Sequence, residues 1–365
     1  MEALAYILFG FALLQLAVSL ANVVFSQKLP ENTVETNDLI SVLIPARNEE
    51  YNIGNLLNDL KNQPFEQIEI LVYNDQSTDK TEEIVLDAQK KDSRIRLILS
   101  TGLPDGWTGK NHACHSLAEQ SSGKYLLFLD ADVRISGGII SKSVLMMKKH
   151  SLALMSISPK QIMKSRGEEV TVPVMNYVLL TLLPLILVRT VSFPSLSAAN
   201  GQFILLNASV YKKWEPHKSI RNKRVEDIQI ARLLKQKKEK IACLAGVKEI
   251  QCRMYHNYSE ALDGLSRSVL MFFGNSAFIA IVFWLVSTFG LLLIALLMPL
   301  QNFVLFALVL LITRMFVSRS SLQSMWKNVL YGWLQKLNLG IMIGKAIRAR
   351  SQKSFTWKGR QVTSS

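Results

Sequence analysis

Two long stretches without a charged residue constrain this chain most, because each is long enough to cross a lipid bilayer. Residues 3–25 and 277–300 are apolar and uncharged, and about 20 such residues span a hydrocarbon core roughly 30 Å thick. A third, shorter run, residues 302–318, contains Arg314, whose long side chain can reach a membrane surface from near a helix end. The sequence therefore predicts transmembrane helices at both ends of the chain.

The first run has two interpretations. Ser19, Leu20 and Ala21 have the small-residue spacing of a signal-peptide cleavage site, but the residues before the run include Glu2 and no Lys or Arg. Signal peptides carry positive charge at that place. We therefore interpret residues 1–27 as a retained N-terminal transmembrane anchor.

The basic charge is concentrated after the hydrophobic runs. The chain has 42 Lys and Arg against 28 Asp and Glu, a net charge of +14, and no acidic residue follows Asp263. Short basic segments beside membrane spans usually stay in the cytoplasm and are attracted to anionic lipids. This pattern favours a multi-pass protein of the cytoplasmic membrane whose central domain faces the cytoplasm. It also favours anionic membrane lipids, rather than nucleic acid, as the partner of the basic tail.

The predicted spans divide the rest of the chain into three parts. Residues 38–265 form a soluble domain, residues 266–324 a transmembrane helical hairpin, and residues 325–365 an apolar segment followed by the basic tail. The apolar segment contains Lys336 near its middle. We interpret it as an amphipathic helix at the membrane interface, because a fourth span would carry the basic tail across the membrane. A fourth span remains the alternative.

Within residues 38–265, strand-like runs alternate with helical patterns. The runs ISVLIPA, IEILVYND, RIRLILS and KYLLFLDAD are each followed by a helical pattern. This repetition predicts an α/β fold with a mostly parallel sheet and helices on both faces. In such sheets, ligands bind beyond the carboxyl ends of the strands.

Acidic and polar residues follow three of these strands and therefore lie at one edge of the sheet. Arg47 and Glu49 follow the first strand, Asp75 ends the second, and Asp130 and Asp132 end KYLLFLDAD. Each cluster alone is compatible with a turn or a helix cap. Three clusters at successive strand ends indicate a binding site, and two closely spaced carboxylates suit a divalent cation that also binds phosphate oxygens.

The fragment GWTGKNHAC precedes another predicted helix. Gly109 and Lys110 stand at its start, where backbone amides and an ammonium group suit a phosphate, although an ordinary glycine turn explains them equally well. His112, Cys114 and His115 lack the second ligand pair of a zinc site, which favours packing on the helix. Neither G-x-G-x-x-G nor G-x-x-x-x-G-K-[ST] follows the first strand, so the sequence supports neither a dinucleotide-binding nor a P-loop enzyme.

Four motifs occur in an order that resembles family 2 glycosyltransferases with the GT-A fold. They are SVLIPARNEE, YNDQSTDKT, LFLDADV and VEDIQIARLLK, and the resemblance extends over about residues 39–255. GWTGKNHAC, HKSIRNKRVEDIQIARLLK, RMY and the terminal WKGRQ are similar to membrane-anchored carotenoid-acid glycosyltransferases of staphyloxanthin-type pathways, and hopanoid-associated glycosyltransferases share part of the pattern. The chain departs from it at Glu215 and Pro216, where the family usually has two glycines before the histidine.

The resemblance implies a role for each matching residue. Asp132 would bind Mg²⁺ or Mn²⁺ bridging the donor diphosphate. Asp227 would be the base that deprotonates the acceptor, and the adjacent Glu226 is the alternative; both also suit a helix start. The donor-binding residues implied by the resemblance are Pro45, Arg47, Glu49, Asp75 and Asp130, and His217 would belong to the acceptor-side loop. Lys110 and Arg253 are donor-side candidates because their positive charge suits a leaving diphosphate. Asn200 and Gly201 are acceptor-side candidates because they follow the apolar segment 175–188.

An apolar segment between the third and fourth motifs suggests the nature of the acceptor. Residues 175–188 are too few to span a membrane and are interrupted by Pro184. The segment is either a buried helix of the soluble domain or a helix that sinks into the membrane interface and admits a lipid acceptor.

The sequence therefore predicts an inverting, metal-dependent glycosyltransferase that moves a single sugar from a nucleotide-diphosphate sugar to a membrane lipid or carotenoid-type acceptor. One carboxylate facing the acceptor gives inversion, and the sequence identifies no second, nucleophilic carboxylate. A processive polysaccharide synthase is the first alternative, although Gln251 and Arg253 are too close for the Q-x-x-R-W signature of such enzymes. A non-catalytic nucleotide-sugar-binding membrane scaffold is the second, although the intact DAD and VED motifs argue against it.

Overall fold

The computed structural model describes residues 2–31, 37–223, 225–352, 354–357 and 360–363. Lys353 and Lys358 of the predicted basic tail lie outside the described residues. The strands are β1 (Ile40–Ala46), β2 (Ile68–Asn74), β3 (Ile95–Leu99), β4 (Tyr125–Leu129), β5 (Val133–Ile135), β6 (Leu154–Gln161), β7 (Phe203–Asn207), β8 (Ile241–Cys252), β9 (Ser354–Trp357) and β10 (Arg360–Thr363).

The helices alternate with these strands in the central domain and follow one another near both ends. They are α1 (Glu2–Val24), α2 (Ile53–Lys61), α3 (Thr81–Lys91), α4 (Gly109–Glu119), α5 (Ile139–His150), α6 (Arg166–Thr171), α7 (Pro173–Leu182), α8 (Leu185–Thr190), α9 (Ala208–Trp214), α10 (Pro216–Ser219), α11 (Glu226–Gln236), α12 (Tyr258–Ser266), α13 (Ala277–Leu297), α14 (Leu300–Ser320), α15 (Met325–Leu330) and α16 (Gly332–Gln352). Two 3₁₀ turns, Pro194–Leu196 and Val269–Phe273, complete the described elements.

Eight strands form one mixed sheet in the order β3-β2-β1-β4-β7-β6-β8-β5. The neighbours β3, β2, β1 and β4 are all parallel, and each predicted strand-like run contains one of them. β7 is antiparallel to both β4 and β6, whereas β6 and β8 are parallel. The predicted α/β fold is confirmed, and the antiparallel strand β7 is an addition that the motifs did not predict.

The sheet has an apolar core on each face, because successive side chains of a strand point to opposite sides. Val42 and Ile44 of β1 face a cluster that includes α2, α3 and α5. Leu43 of the same strand faces a second cluster that includes α4, α7 and α11. The second core continues through the residues after β8 into α13 and α16, so the sheet and the apolar helices share one packed interior.

Three helices, α1, α13 and α14, are long and apolar enough to cross a membrane. They coincide with the three uncharged or nearly uncharged runs of the sequence. Ala5, Leu8 and Ala12 of α1 pack with Ile294 of α13 and Phe306 of α14. The small alanines let the helix backbones approach closely, which is how membrane helices usually associate.

The side chain of Arg314 is directed into the protein interior. The residue is buried, and its guanidinium carbon lies 4.7 Å from the ring centroid of Tyr177 in α7. Its nitrogens donate to the carbonyl oxygens of Asn328 and Gly332 at 3.1 and 3.3 Å. An arginine in an apolar helix is tolerated there because protein groups accept its hydrogen bonds and an aromatic ring packs against its charge.

The apolar segment 175–188 forms α7 and α8, with a break at Leu183 and Pro184. Asn22 of α1 fills that break. Its amide nitrogen donates to the carbonyl oxygens of Leu180 and Leu183, both at 3.0 Å, and its oxygen accepts from the Leu185 amide at 2.7 Å. The backbone groups freed at the break are therefore paired with a side chain from an apolar helix.

Replacing Gly123 with alanine tests the close approach of the chain to β1. A Cβ there would lie 2.5 Å from Ser41 Oγ and 2.6 Å from Ser41 N, so the backbone must shift. Such overpacking costs about 1–3 kcal/mol, and the midpoint of thermal unfolding in detergent should fall by roughly 2–10 °C.

The matched control is Gly54→Ala in α2, where the nearest atom to a new Cβ is 3.4 Å away and alanine is the better helix former. This variant should keep or raise the unfolding midpoint. Equal midpoints for the two variants would contradict the proposed packing at Gly123.

Candidate active site

A cavity of 880 Å³ lies at the carboxyl ends of β1, β2 and β4. Most of the predicted site residues meet in its lining, although they come from six separate segments of the chain. Those in the lining are Pro45, Arg47, Glu49, Asp75, Lys110, Asp130, Asp132, Asn200, Gly201, Glu226 and Asp227.

The loops after β1 and β2 are hydrogen-bonded to each other. Asn48 Oδ1 accepts from the Thr78 amide at 2.9 Å, and Ser77 Oγ accepts from the Asn48 amide at 3.0 Å. Asp79 Oδ2 accepts from the Glu50 amide at 3.0 Å. Asn48 adopts a positive φ of 54°, which asparagine tolerates better than most residues. Polar residues that also suit helix caps therefore join the two strand ends and fix this wall of the cavity.

Arg47 and Asp75 lie side by side on the same wall. Arg47 Nη1 donates to the Asp75 carbonyl oxygen at 2.5 Å and lies 3.9 Å from Asp75 Oδ2. Asp75 is only 4% exposed, so its carboxylate direction is set by the surrounding chain. The pair places one cationic and one anionic group beside the carboxyl end of β2.

The ammonium group of Lys110 joins two carboxylates across the cavity. Lys110 Nζ lies 2.7 Å from Asp130 Oδ1, 3.0 Å from Asp130 Oδ2 and 2.8 Å from Glu226 Oε1. Burial disfavours the charged form, but the two carboxylates outweigh it and raise the pKa of Lys110 well above its usual value. Lys110 is therefore a permanent cation between the end of β4 and the start of α11.

Glu226 and Asp227 are adjacent but have opposite electrostatic environments. Burial opposes ionisation of Glu226, but Lys110 outweighs that effect and lowers the pKa of Glu226. Burial, and then the charge of Glu226, raise the pKa of Asp227 to about 7. Glu226 is thus held as a paired carboxylate, whereas Asp227 can gain or lose a proton near neutral pH.

Gly201 packs closely against Lys110, Glu226 and Asp227. Its amide donates to Asp227 Oδ2 at 2.9 Å. A Cβ on Gly201 would lie 3.1 Å from Glu226 Oε1 and 3.3 Å from Lys110 Nζ, which leaves little room for a side chain. Asn200, next to it, is held by Ser156, whose Oγ accepts from the Asn200 amide at 2.7 Å.

Asn111 positions the approach to the VED motif, and sequence reasoning did not identify it. Its side-chain nitrogen donates to the carbonyl oxygens of Ile220, Arg221 and Lys223 at 3.0, 3.3 and 3.1 Å. The only signal was its place in GWTGKNHAC. Val225 follows that loop with φ of 54°, a strained conformation for a β-branched residue. The chain thus stores strain immediately before Glu226.

The cavity continues from these charged groups into an apolar part. That part lies between α7, residues 195–199 and the 3₁₀ turn 269–273. Apolar side chains are the larger group there, and the polar lining residues include Asn176, Ser195, Ser197, Arg232, Asp263, Arg267 and Ser268. The apolar lining includes Met175, Val178, Leu179, Leu182, Leu183, Leu196, Leu265, Met271 and Phe272.

Residues 41–213 match the family model described as glycosyl transferase family 2. This part of the chain is a family 2 glycosyltransferase domain. The chain is 26% identical over 242 residues to 4,4'-diaponeurosporenoate glycosyltransferase of Staphylococcus haemolyticus. The aligned residues cover 64% of this chain and 61% of that protein. It is 34% identical over 103 residues to GalNAc(5)-diNAcBac-PP-undecaprenol beta-1,3-glucosyltransferase of Campylobacter jejuni, which covers 28% and 32% respectively. The chain thus spans less than two thirds of the length of these relatives.

The fold of the glycosyltransferase domain and its flanking helices has a solved counterpart. The structure is similar to the mannosyltransferase PcManGT of Pyrobaculum calidifontis in complex with GDP-Man and Mn²⁺, with a TM-score of 0.58 and 14% identity. The match covers 95% of this chain and 98% of the other. This likeness confirms the predicted GT-A-type fold.

Two predicted site residues lie outside the described lining of the glycosyltransferase cavity. Arg253 Nη2 pairs with the fully buried carboxylate of Glu168 at 2.7 Å. His217 is buried against Phe128, with ring centroids 4.7 Å apart, and its Nδ1 lies 2.9 Å from Tyr211 Oη. Burial lowers the pKa of His217 to about 3. In this structure Arg253 is engaged in a structural ion pair, and His217 is a neutral core side chain.

The histidines of α4 do not form part of a metal centre in the described residues, where no group of three potential ligands occurs. Trp107 stacks on His115 with centroids 5.1 Å apart and meets His112 edge-on. His112 Nδ1 lies 3.3 Å from Tyr73 Oη. The packing interpretation of these residues therefore agrees with the structure.

Replacing Asn111 with alanine tests its role in holding the loop before Glu226 in the glycosyltransferase domain. The change leaves three carbonyl oxygens without their donor, a loss of about 1–3 kcal/mol. We expect faster hydrogen exchange in residues 220–228 and a lower thermal midpoint. The exposed Asn55→Ala, which removes only a hydrogen bond to Tyr51, is the control, and equal exchange in both variants would disprove the role.

Proposed function

We propose that the protein is an inverting, metal-dependent glycosyltransferase that moves a single sugar from a nucleotide-diphosphate sugar to a membrane lipid or carotenoid-type acceptor. The observation that carries this proposal is the division of one cavity into a charged part at the strand ends and an apolar part along α7. Asp227 and Gly201 lie in the lining where the acceptor would meet the donor.

The donor half of the proposal rests on the strand-end groups. Pro45, Arg47, Glu49 and Asp75 line the wall where the nucleotide would bind, beyond the carboxyl ends of parallel strands. Lys110 supplies a fixed positive charge beside Asp130, where the diphosphate gains negative charge as it leaves. Preorganised cations of this kind stabilise the transition state more than the ground state.

The residues at the DAD motif fit a divalent cation. Asp132 Oδ1 is buried and has no hydrogen-bond partner in the described chain. Burial, and then the charges of Asp130 and Glu49, raise the pKa of Asp132 to about 7, so a cation there would relieve a real repulsion. Asp132 with Asp130 would hold Mg²⁺ or Mn²⁺ together with donor phosphate oxygens. When bound, the cation supplies Lewis-acid stabilisation of the leaving diphosphate.

Asp227 is the better candidate for the base than Glu226. Among the described residues no cation forms an ion pair with its carboxylate, and its pKa of about 7 matches the operating range of a general base. The amides of Gly201 and Ile228 donate to its two oxygens at 2.9 and 2.7 Å and fix its direction. Asp227 therefore takes the proton of the acceptor oxygen, while Glu226 keeps Lys110 in place.

The apolar part of the cavity supports a lipophilic acceptor. Its wall, α7, packs against α1 and α14, two of the helices long enough to cross a membrane. An acceptor carried by a membrane could therefore reach Asp227 without crossing water. The name of the Staphylococcus haemolyticus relative, 4,4'-diaponeurosporenoate glycosyltransferase, agrees with such an acceptor. We place the catalytic domain on the cytoplasmic face, where nucleotide sugars and the anionic lipids of that leaflet meet the basic tail.

The first test measures product formation. Purified protein with a lipid acceptor should release nucleoside diphosphate and add one sugar, seen by mass spectrometry, only when Mg²⁺ or Mn²⁺ is present. Asp132→Ala should lose at least a hundredfold in kcat/KM, roughly the effect of removing one preorganised stabilising group. The exposed Asp87→Ala, on the far surface of α3, should keep activity. Full turnover of Asp132→Ala would disprove the metal role.

The second test uses pH. Because the pKa of Asp227 is raised to about 7, the base is protonated below that pH, and kcat/KM should rise about tenfold per pH unit up to pH 7 and then level off. Asp227→Asn should remove the activity.

Glu226→Gln separates the two acids. It removes the charge that, after burial, contributes most to the raised pKa of Asp227, so the rising limb of the pH profile should move to lower pH while the activity falls. Loss of the limb in Glu226→Gln, with the limb kept in Asp227→Asn, would instead make Glu226 the base.

A further inference from the structure

The two helices after α14 are not used by the proposed reaction, and their direction is informative. α16 runs antiparallel to α13 and in contact with it. The rings of Trp333 and Phe289 lie 6.3 Å apart at one end, and Arg350 Nη1 donates to the carbonyl oxygen of Asn275 at 3.1 Å at the other. Between them, Trp284 Nε1 donates to the carbonyl oxygen of Lys336 at 3.0 Å.

On the proposal that α13 spans the membrane, positions along this helix give the membrane depth of the residues that contact it. Its 21 residues extend about 31 Å at 1.5 Å per residue, which matches a hydrocarbon core of roughly 30 Å. Phe289 lies about 18 Å from the start of α13, and Asn275 lies just before that start. The first turn of α16 is therefore near the middle of the bilayer, and its last turns are at the cytoplasmic surface.

The outward face of α16 changes character at the matching point. Trp333, Leu334, Leu337 and Ile341 are exposed, by 39, 48, 37 and 45%, and follow one another on one side of the helix. Lys345 continues the same side four residues later; it is exposed as well and forms an ion pair with Asp263 of α12. An apolar stripe that ends in a cation is the pattern of a helix that passes from acyl chains to lipid headgroups.

Backbone carbonyl groups at the break between α15 and α16 are hydrogen-bonded within the protein, as is required of groups inside a membrane. Carbonyl oxygens near a helix C-terminus lack partners within the helix, and lipid offers none. Arg314 donates to the carbonyl oxygens of Asn328 and Gly332 on either side of Tyr331, and its charge suits the C-terminus of α15. Gln335 Nε2 donates to the Glu169 carbonyl oxygen at 2.9 Å.

Among the cations of α16 in the described residues, Lys336 lies deepest on the depth scale that α13 provides. It is half-buried on the flank of the helix, beside the buried Gln335. Charged side chains within membranes are tolerated where they face the protein interior rather than lipid. Its position therefore differs from that of the exposed stripe.

We propose that α15 and α16 form a re-entrant helical pair that enters the cytoplasmic leaflet, turns near its inner limit and returns to the same surface. The pair would be solvated by acyl chains along the stripe from Trp333 to Ile341. This geometry is neither a helix lying flat on the surface nor a fourth span.

The re-entrant pair lowers the acceptor part of the cavity into the leaflet. Tyr258 Oη of α12 donates to Asn338 Oδ1 of α16 at 2.8 Å, and Asn338 Nδ2 donates to the Val170 carbonyl oxygen, beside α7, at 2.9 Å. The ring of Tyr177 of α7 packs against Arg314. Arg314 lies about 9 Å along the axis of α14 from its last residue. The walls of the apolar part are thus tied to groups below the membrane surface, and a lipid acceptor reaches them laterally from its own leaflet.

Depth-dependent fluorescence quenching tests the inclination of α16. The three native cysteines are free and buried, so single cysteines at Leu334, Leu337 and Ile341 can carry a bimane label in vesicles of phosphatidylcholine brominated at shallow or deep acyl carbons. The ratio of deep to shallow quenching should fall from Leu334→Cys through Leu337→Cys to Ile341→Cys.

Two positions of α13 calibrate this scale, the shallow Phe278→Cys and the deep Leu285→Cys, both exposed at 76 and 43%. Leu334→Cys should resemble the deep reference. Equal quenching ratios at positions 334 and 341 would mean a helix lying flat, and would overturn the proposal.

Sidedness supplies the second arm. In sealed inside-out vesicles, a membrane-impermeant maleimide should label both Trp326→Cys, exposed by 73%, and Lys345→Cys from the cytoplasmic face. Labelling of the two from opposite faces would establish a fourth span and overturn the proposal. Neither arm measures sugar transfer, so their failure would leave the proposed reaction standing, and an inactive protein would leave the topology untouched.

Discussion

The bidentate contact between the Lys110 ammonium and the Asp130 carboxylate, extended to Glu226, is the interaction on which the cavity depends. Two unit charges about 4 Å apart interact by roughly 4 kcal/mol near a protein surface, so converging carboxylates would separate without a cation between them. Lys110 at 2.7 and 2.8 Å from its two partners fixes the end of β4 against the start of α11. Lys110 also makes the two neighbouring acids differ, since its charge keeps Glu226 ionised while Asp227 can gain or lose a proton near pH 7.

The order of the motifs predicted that the strand-end residues lie close together, and the cavity lining agrees. Parallel strands present their carboxyl ends at one edge, so Glu49, Asp75 and Asp130 had to meet once the strands were recognised. Contacts that depend on packing were not predictable in this way. Asn111 acts through three backbone carbonyls whose position follows from the path of the chain, and Gly201 matters because of what a Cβ would touch. His217 matched a motif, yet the ring packs in the core.

On the proposed function, the apolar and charged parts of the cavity serve substrates from two solvents. A nucleotide sugar would come from water and need cations and hydrogen-bond donors, whereas a lipophilic acceptor would gain nothing from leaving the bilayer. α7 suits both substrates because one of its faces lines the cavity, while its other contacts include Arg314, Asn22 and the apolar helices. The sequence left a buried helix and a membrane-interface helix as alternatives for this segment, and the packing combines features of both.

The pairing of Asn22 with the break between α7 and α8 has a consequence for biosynthesis. Its partners lie 158 to 163 residues further along the chain, so the ribosome makes α1 long before the groups that satisfy its amide. At typical rates of synthesis this interval lasts on the order of ten seconds or more, during which Asn22 has to find water or lipid headgroups. The contact between α1 and the break after α7 can therefore form only after β1 to β4 have been synthesised, and on the proposed function the acceptor wall would be completed after the donor side.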